Sequence, residues 1–228
     1  MPYARVLLVI AVLIPSVLFG QTPANAPPDT VFYAVAYVDT MAPATKAARA
    51  ALEQYRDASR KQDGLVRVES FEQIGRPGHF AIVETWRDQK AFDARDVAAQ
   101  KQLLGALQPI RVSDYDQRPY KTLTAASGAA STGRQAVFVI AHVDVSQSPL
   151  VPPMLRRLAD ASRQEAGNLR FDVLQHTMRA NHFTVIEGWQ SQRALDSHVA
   201  AAHTRQYRDE VQPMTGSPLD ERVYTSVE

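Results

Sequence analysis

The chain of 228 residues contains no cysteine. That excludes a disulfide framework, a thiol nucleophile, a thiolate-bound metal and a lipid-modified cysteine behind a leader. Glycine is sparse, at 10 residues, and none falls in the GxGxxG or GxxxxGK spacing that cradles phosphates, so dinucleotide binding is not expected. An excess of one charge is also missing. Lys plus Arg number 25 against 24 Asp plus Glu, with no long run of either, which argues for no nucleic acid among the partners.

Long hydrophobic runs are confined to one place. Val6 to Phe19 is nearly continuous but broken by Pro15 and Ser16, and it falls short of the roughly 20 residues of a membrane span. With Arg5 before it and Gly20, Ala24 and Ala26 after it, the stretch reads as a secretory leader. The expectation is a signal peptide over residues 1–24, no stable membrane anchor after cleavage, and a periplasmic or secreted mature protein. Export without disulfides suits a bacterial periplasm.

The remainder, in a chain that is 45% hydrophobic and 21% charged, has a globular composition. Its most informative property is internal repetition. VFYAVAYVD (31–39) pairs with AVFVIAHVD (136–144), DASRKQDGLVRVE (57–69) with DASRQEAGNLRFD (160–172), HFAIVETW (79–86) with HFTVIEGW (182–189), and DQRPY (116–120) with DERVY (220–224). Glu84 to Glu187 and Trp86 to Trp189 are both separated by 103 positions. The small, polar TAASGAASTGRQ (124–135) lies between the copies as a connection. Repeat 1 is expected over 30–123 and repeat 2 over 136–227.

Each repeat reads as β-α-β-β-α-β, an α+β, ferredoxin-like unit. Val31 to Asp39 alternates as a strand, and Ala47, Ala48, Ala51, Leu52 and Tyr55 recur at helical spacing. Gly64 closes that helix, GRPG (75–78) turns one strand into the next, and Gly105 marks a break in the second helix. Repeat 2 follows the same plan, with a helix entered through Pro152 and Pro153 and another running from Gln192.

At ETWRDQKAFDARDVAAQ (84–100) and EGWQSQRALDSHVAAAH (187–203) the chain resembles the antibiotic biosynthesis monooxygenase (ABM) family, whose signature is Glu-x-Trp, then His nine residues after the Trp, often with a second His five further on. Repeat 2 carries all four positions as Glu187, Trp189, His198 and His203; repeat 1 keeps Glu84 and Trp86 but has Arg95 and Gln100 instead. The resemblance implies that the tandem repeats form an intrachain pseudo-dimeric α+β barrel. It further implies oxygenation of a small aromatic or quinol compound by O₂ with no cofactor, the substrate itself supplying electrons once deprotonated. Oxygenating members are expected to carry a polar residue such as Asn four before the Trp; Ile82 and Val185 stand there.

These readings assign His198 and Glu187 as catalytic and Trp189, His142, His203, Tyr207 and Tyr224 as substrate-binding, with no metal. A mutually satisfied Glu187 and His198 in an ordinary core remains the alternative, and Arg95 is expected to pair with Glu84. His198 and His203 are five apart, roughly 140° on a continuous helix, so they are not expected to face one metal. His142 is a candidate to approach His198. The turn PMTGSPLDER (213–222) either covers a pocket or merely connects. A non-catalytic ligand-binding or stress-protection module is the rival class, haem capture a third; a homo-oligomer stays open.

Overall fold

A computed structural model describes residues 31–125, 135–146 and 149–227. The expected leader and most of the connection between repeats lie outside the described residues. Repeat 1 comprises β1 (Phe32–Asp39), α1 (Thr45–Ser59), β2 (Leu65–Gln73), β3 (His79–Trp86), α2 (Gln89–Asp93), α3 (Ala98–Leu107) and β4 (Asp116–Thr124). Repeat 2 answers with β5 (Val137–Asp144), α4 (Val151–Ser162), β6 (Asn168–His176), β7 (His182–Trp189), α5 (Gln192–Val199), α6 (Ala202–Val211) and β8 (Asp220–Ser226).

The eight strands close into one antiparallel barrel in the order β1-β3-β2-β8-β5-β7-β6-β4. Each repeat contributes four adjacent strands, and the seams pair the last strand of one repeat with the second strand of the other. Gln73 lies opposite Tyr224 at one seam, and Tyr120 opposite His176 at the other. Closure gives each strand a neighbour on both sides, although the seams pair only Phe71–Gln73 of β2 and Val173–His176 of β6; a lone four-stranded sheet would leave two whole edges open.

Alternation along the strands divides two apolar layers. Tyr33, Val35, Phe71, Val83, Phe138, Ile140, Leu174 and Ile186 fill the barrel interior. The opposite faces of the strands lie under helices: Leu52, Tyr55, Leu103 and Leu107 cover repeat 1, and Leu155, Leu158, Leu195, Tyr207 and Val211 cover repeat 2. Inside the barrel Arg170 bonds to Asp172 at 2.5 Å and to Glu69 of the other repeat at 2.8 Å, so a buried charge is paired across the two halves.

The second helical segment differs from its expected form. It breaks at residues 94–97 in repeat 1, leaving Gly105 inside α3, and at Ala200–Ala201 in repeat 2. On one continuous helix His198 and Tyr207 would point about 180° apart at roughly 100° per residue. The break resets the phase, and both side chains are buried against the sheet. Gly167, at φ 86°, lets the chain pass where a Cβ would stand 2.8 Å from Ala194 at the start of α5.

Candidate functional site

Glu187 and Trp189 lie two apart on β7 and so share its helix-facing side. Trp189 Nε1 donates to Glu187 Oε2 at 2.8 Å. The Trp189 ring is completely buried and stacks on His198, with centroids 4.6 Å apart. It therefore backs the histidine and does not line the cavity beside it, where a ligand would have to stack.

His198 sits near the end of α5, which Ser191 caps by accepting from the Ala194 N–H. Its Nδ1 lies 2.6 Å from Glu165 Oε1, and its Nε2 is 3.8 Å from Glu187 Oε2. His203, just inside α6, brings Nε2 to 2.9 Å from the same Glu165 oxygen. Both histidines thus converge on one carboxylate, which corrects the expectation that they diverge: the helix break, not a continuous turn, sets their directions. The trio stands as a hydrogen-bonded network.

Glu165 was missed by motif reading, although its signal was present. Where repeat 2 has Glu165 and His198, repeat 1 has Gln62 and Arg95, so the two differences go together. Helix bounds place α6 104 residues after α3, which puts Ala99, not Gln100, at the place of His203.

Glu187, His198, Leu158, Val185, Leu195, Thr204 and Tyr207 surround a cavity of about 80 Å³. Arg208, Leu219 and Glu221 line both this cavity and an outer groove of about 680 Å³ that runs under Thr215 to Pro218. The 213–222 segment therefore does flank a pocket. Arg208 Nη2 donates to both Glu221 oxygens, at 3.0 and 2.9 Å, where cavity and groove meet. Among the described residues the buried Tyr207 hydroxyl has no hydrogen-bond partner, and the Trp189 bond to Glu187 falls on Oε2, leaving Oε1 without one.

Repeat 1 shows what fills the same place. Tyr55 donates its phenol to Glu84 Oε1 at 2.5 Å, and Trp86 donates to Glu84 Oε2 at 2.9 Å. Leu158 occupies the Tyr55 position and Leu219 the Tyr115 position in repeat 2, while Tyr207 replaces Leu103. The expected Arg95–Glu84 pair does not form: Arg95 donates to the Phe92 carbonyl at 2.8 Å and lies over the Phe92 ring. Two neutral donors satisfy Glu84 instead, and burial raises its pKa.

Burial also pushes the Glu187 carboxyl up, from 4.5 to about 7, against the opposing Trp189 hydrogen bond. Burial lowers the pKa of His198, which Glu165 opposes. A carboxyl more easily protonated in the folded than in the unfolded chain adds stability that is complete below 4.5 and lost as pH rises through about 7. The melting temperature is expected to fall between pH 5 and pH 8 by more in the wild type than in Glu187→Gln, and parallel calorimetric scans measure this.

His142 and Tyr224 do not join this site. Both point to the opposite, interior face of the sheet, where His142 Nδ1 meets Thr184 Oγ1 at 3.1 Å and stacks on His182, and Tyr224 packs with Phe138 and Ile140. The sheet lies between His142 and His198, so the sequence-based approach of these two is corrected.

A profile of the antibiotic biosynthesis monooxygenase family matches residues 31–96 and, again, 150–210. A candidate monooxygenase of known structure from Fusobacterium nucleatum is 14% identical, with a TM-score of 0.78 over 87% of this chain and 93% of that one. Another, from Lactobacillus acidophilus, is 15% identical, with a TM-score of 0.72 over 87% and 95%. An anthrone oxidase-like protein, 14% identical, gives 0.61 over 88% and 92%. At such identities these likenesses concern the fold. No curated protein matches the chain.

Proposed function

The chain belongs to the antibiotic biosynthesis monooxygenase family, and from that footing we propose that the repeat 2 cavity binds and deprotonates a small phenolic or quinol compound for oxygenation by O₂. One observation carries this reading. Repeat 1 seats its own phenol, Tyr55, on Glu84, whereas repeat 2 keeps the carboxyl and its Trp partner but leaves Glu187 Oε1 bare beside a cavity. A ligand phenol takes the place of the Tyr55 ring, which the shorter Leu158 leaves open.

In this mechanism the ligand hydroxyl donates to Glu187, which takes the proton, and the Tyr207 hydroxyl donates to the resulting oxyanion. The apolar walls Leu158, Val185 and Leu195 withhold water. The electron-rich ring then passes an electron to O₂. One oxygen atom enters the substrate, and the other leaves as water with two of its hydrogens. A carboxyl poised near neutral pH suits such a base. No cofactor is invoked.

Size limits the substrate. Because roughly 150 Å³ of apolar cavity accepts benzene, a single ring extends past Arg208 and Glu221 into the groove, and that ion pair parts to admit it. The apolar run Val6 to Phe19 supports placing the reaction in the periplasm or outside the cell. Oxygen-electrode traces with a panel of single-ring phenols and hydroquinones test the proposal. Uptake is expected for wild type and strongly reduced uptake for Glu187→Gln; equal rates remove the role given to Glu187.

Val185, standing where oxygenating relatives are expected to be polar, favours a second reading in which the cavity holds a phenol without turnover. Ligand-dependent rises in melting temperature without O₂ uptake decide for it.

A further inference from the structure

A base enclosed in a cavity completes a second turnover only after the first proton has left. Glu187 is 7% exposed, and its neighbours on the strand and helices are largely apolar. Behind it, however, stands a line of titratable groups. His198 Nε2 is 3.8 Å from Glu187 Oε2, and the other nitrogen of the same ring is 2.6 Å from Glu165 Oε1. Glu165 Oε1 is in turn 2.9 Å from Nε2 of His203, whose side chain is 30% exposed.

We infer that His198, Glu165 and His203 form a proton relay that carries the substrate proton from Glu187 to solvent. Glu187 passes its proton to His198 Nε2, and His198 gives up its Nδ1 proton to Glu165. Glu165 hands a proton to His203 Nε2, and His203 releases one from its other nitrogen to water or buffer. Every member accepts one proton and gives one up, and no electron moves. Only the first gap exceeds hydrogen-bond length, and a small ring rotation or one bridging water closes it.

The chemistry of the residues fits this role better than mere packing does. An imidazole can take a proton on one nitrogen while losing one from the other, and a carboxylate between two imidazoles can pass it on. Repeat 1 also breaks its second helical segment, at residues 94–97, but without the line. Gln62 stands for Glu165, the permanently charged Arg95 for His198, and Ala99 for His203. A motif needed only to pin the break would not have to titrate. The helix break is the device that makes the line, since it turns His203 back toward the carboxylate that His198 already holds.

The relay rests on the reading that Glu187 takes a proton from a bound phenol, but its test does not need oxygenation. With 4-nitrophenol bound, a stopped-flow pH jump follows the colour of the phenolate as its proton equilibrates with bulk solvent. In weak buffer, Glu165→Gln and His203→Ala are expected to slow this relaxation by roughly 10- to 100-fold, with 4-nitrophenol affinity kept. Added imidazole returns His203→Ala to near the wild-type rate. His203→Gln, which keeps a hydrogen bond to Glu165 but cannot titrate, guards against a packing defect and is expected to be equally slow. Wild-type rates in these variants, or slow rates that imidazole leaves unchanged, overturn the relay. Relay behaviour without O₂ uptake in wild type would sink the oxygenase reading alone, and failure to bind 4-nitrophenol would sink both.

Discussion

Glu187→Gln is expected to lower kcat for O₂-dependent turnover by roughly 10²- to 10⁴-fold, the usual worth of a positioned base. The amide keeps the shape of the cavity and still accepts from Trp189 Nε1, so ligand affinity changes little and the loss falls on kcat, not KM. Glu84→Gln is the matched control. It sits in the same position of repeat 1 and has both carboxyl oxygens occupied by the Tyr55 and Trp86 donors. Its kcat is expected to stay within about threefold of wild type, because no proton transfer is asked of it. Steady-state O₂ uptake on both variants checks the contrast, and a comparable loss in Glu84→Gln would end the assignment of chemistry to repeat 2 alone.

Leu158→Tyr should rebuild the filled arrangement of repeat 1 inside repeat 2. Tyr55 shows that a phenol at this helical position reaches the strand carboxyl, at 2.5 Å in repeat 1. The substituted ring fills the cavity of about 80 Å³ and supplies the missing donor to Glu187. Phenol affinity is expected to fall by roughly 100-fold, about 3 kcal/mol, while the melting temperature holds or rises. The reciprocal Tyr55→Leu removes both ring and hydrogen bond and is expected to cost about 2–4 kcal/mol of stability. Calorimetric titration with 4-nitrophenol and thermal melts separate the two effects. Unchanged affinity in Leu158→Tyr would place the ligand elsewhere.

Much of this arrangement could be read before any coordinates. The order of elements followed from the repeats, and the barrel from the resemblance and the need of each sheet to cover its second face. Glu187, Trp189 and His198 could be placed together because period-two and period-3.6 patterns are reliable over short stretches. The errors have physical causes. β5 is apolar on both faces, Val139 and Val143 outward and Phe138 and Ile140 inward, so alternation could not say which side His142 takes. The direction of His203 depended on a helix break at two alanines, which carry no strong stop signal. The Leu158 and Tyr55 exchange was visible in the aligned repeats. It escaped notice because motif reading looks for the groups that do chemistry, and here the decisive residue is one that leaves room.

The closed eight-stranded ring has a further meaning for how the two halves came to differ. A barrel assembled from two identical chains must carry every substitution in both halves, so a tyrosine that plugs one site plugs the other. Joining the halves in a single polypeptide lifts that constraint while the paired seams keep either half from departing. One half is then free to spend its interior on rigidity, with Tyr55 locked onto Glu84, and the other to keep an unfilled and less stable interior. On the proposed function, the division of labour between scaffold and site, normally made between separate proteins, falls between the two halves of one barrel.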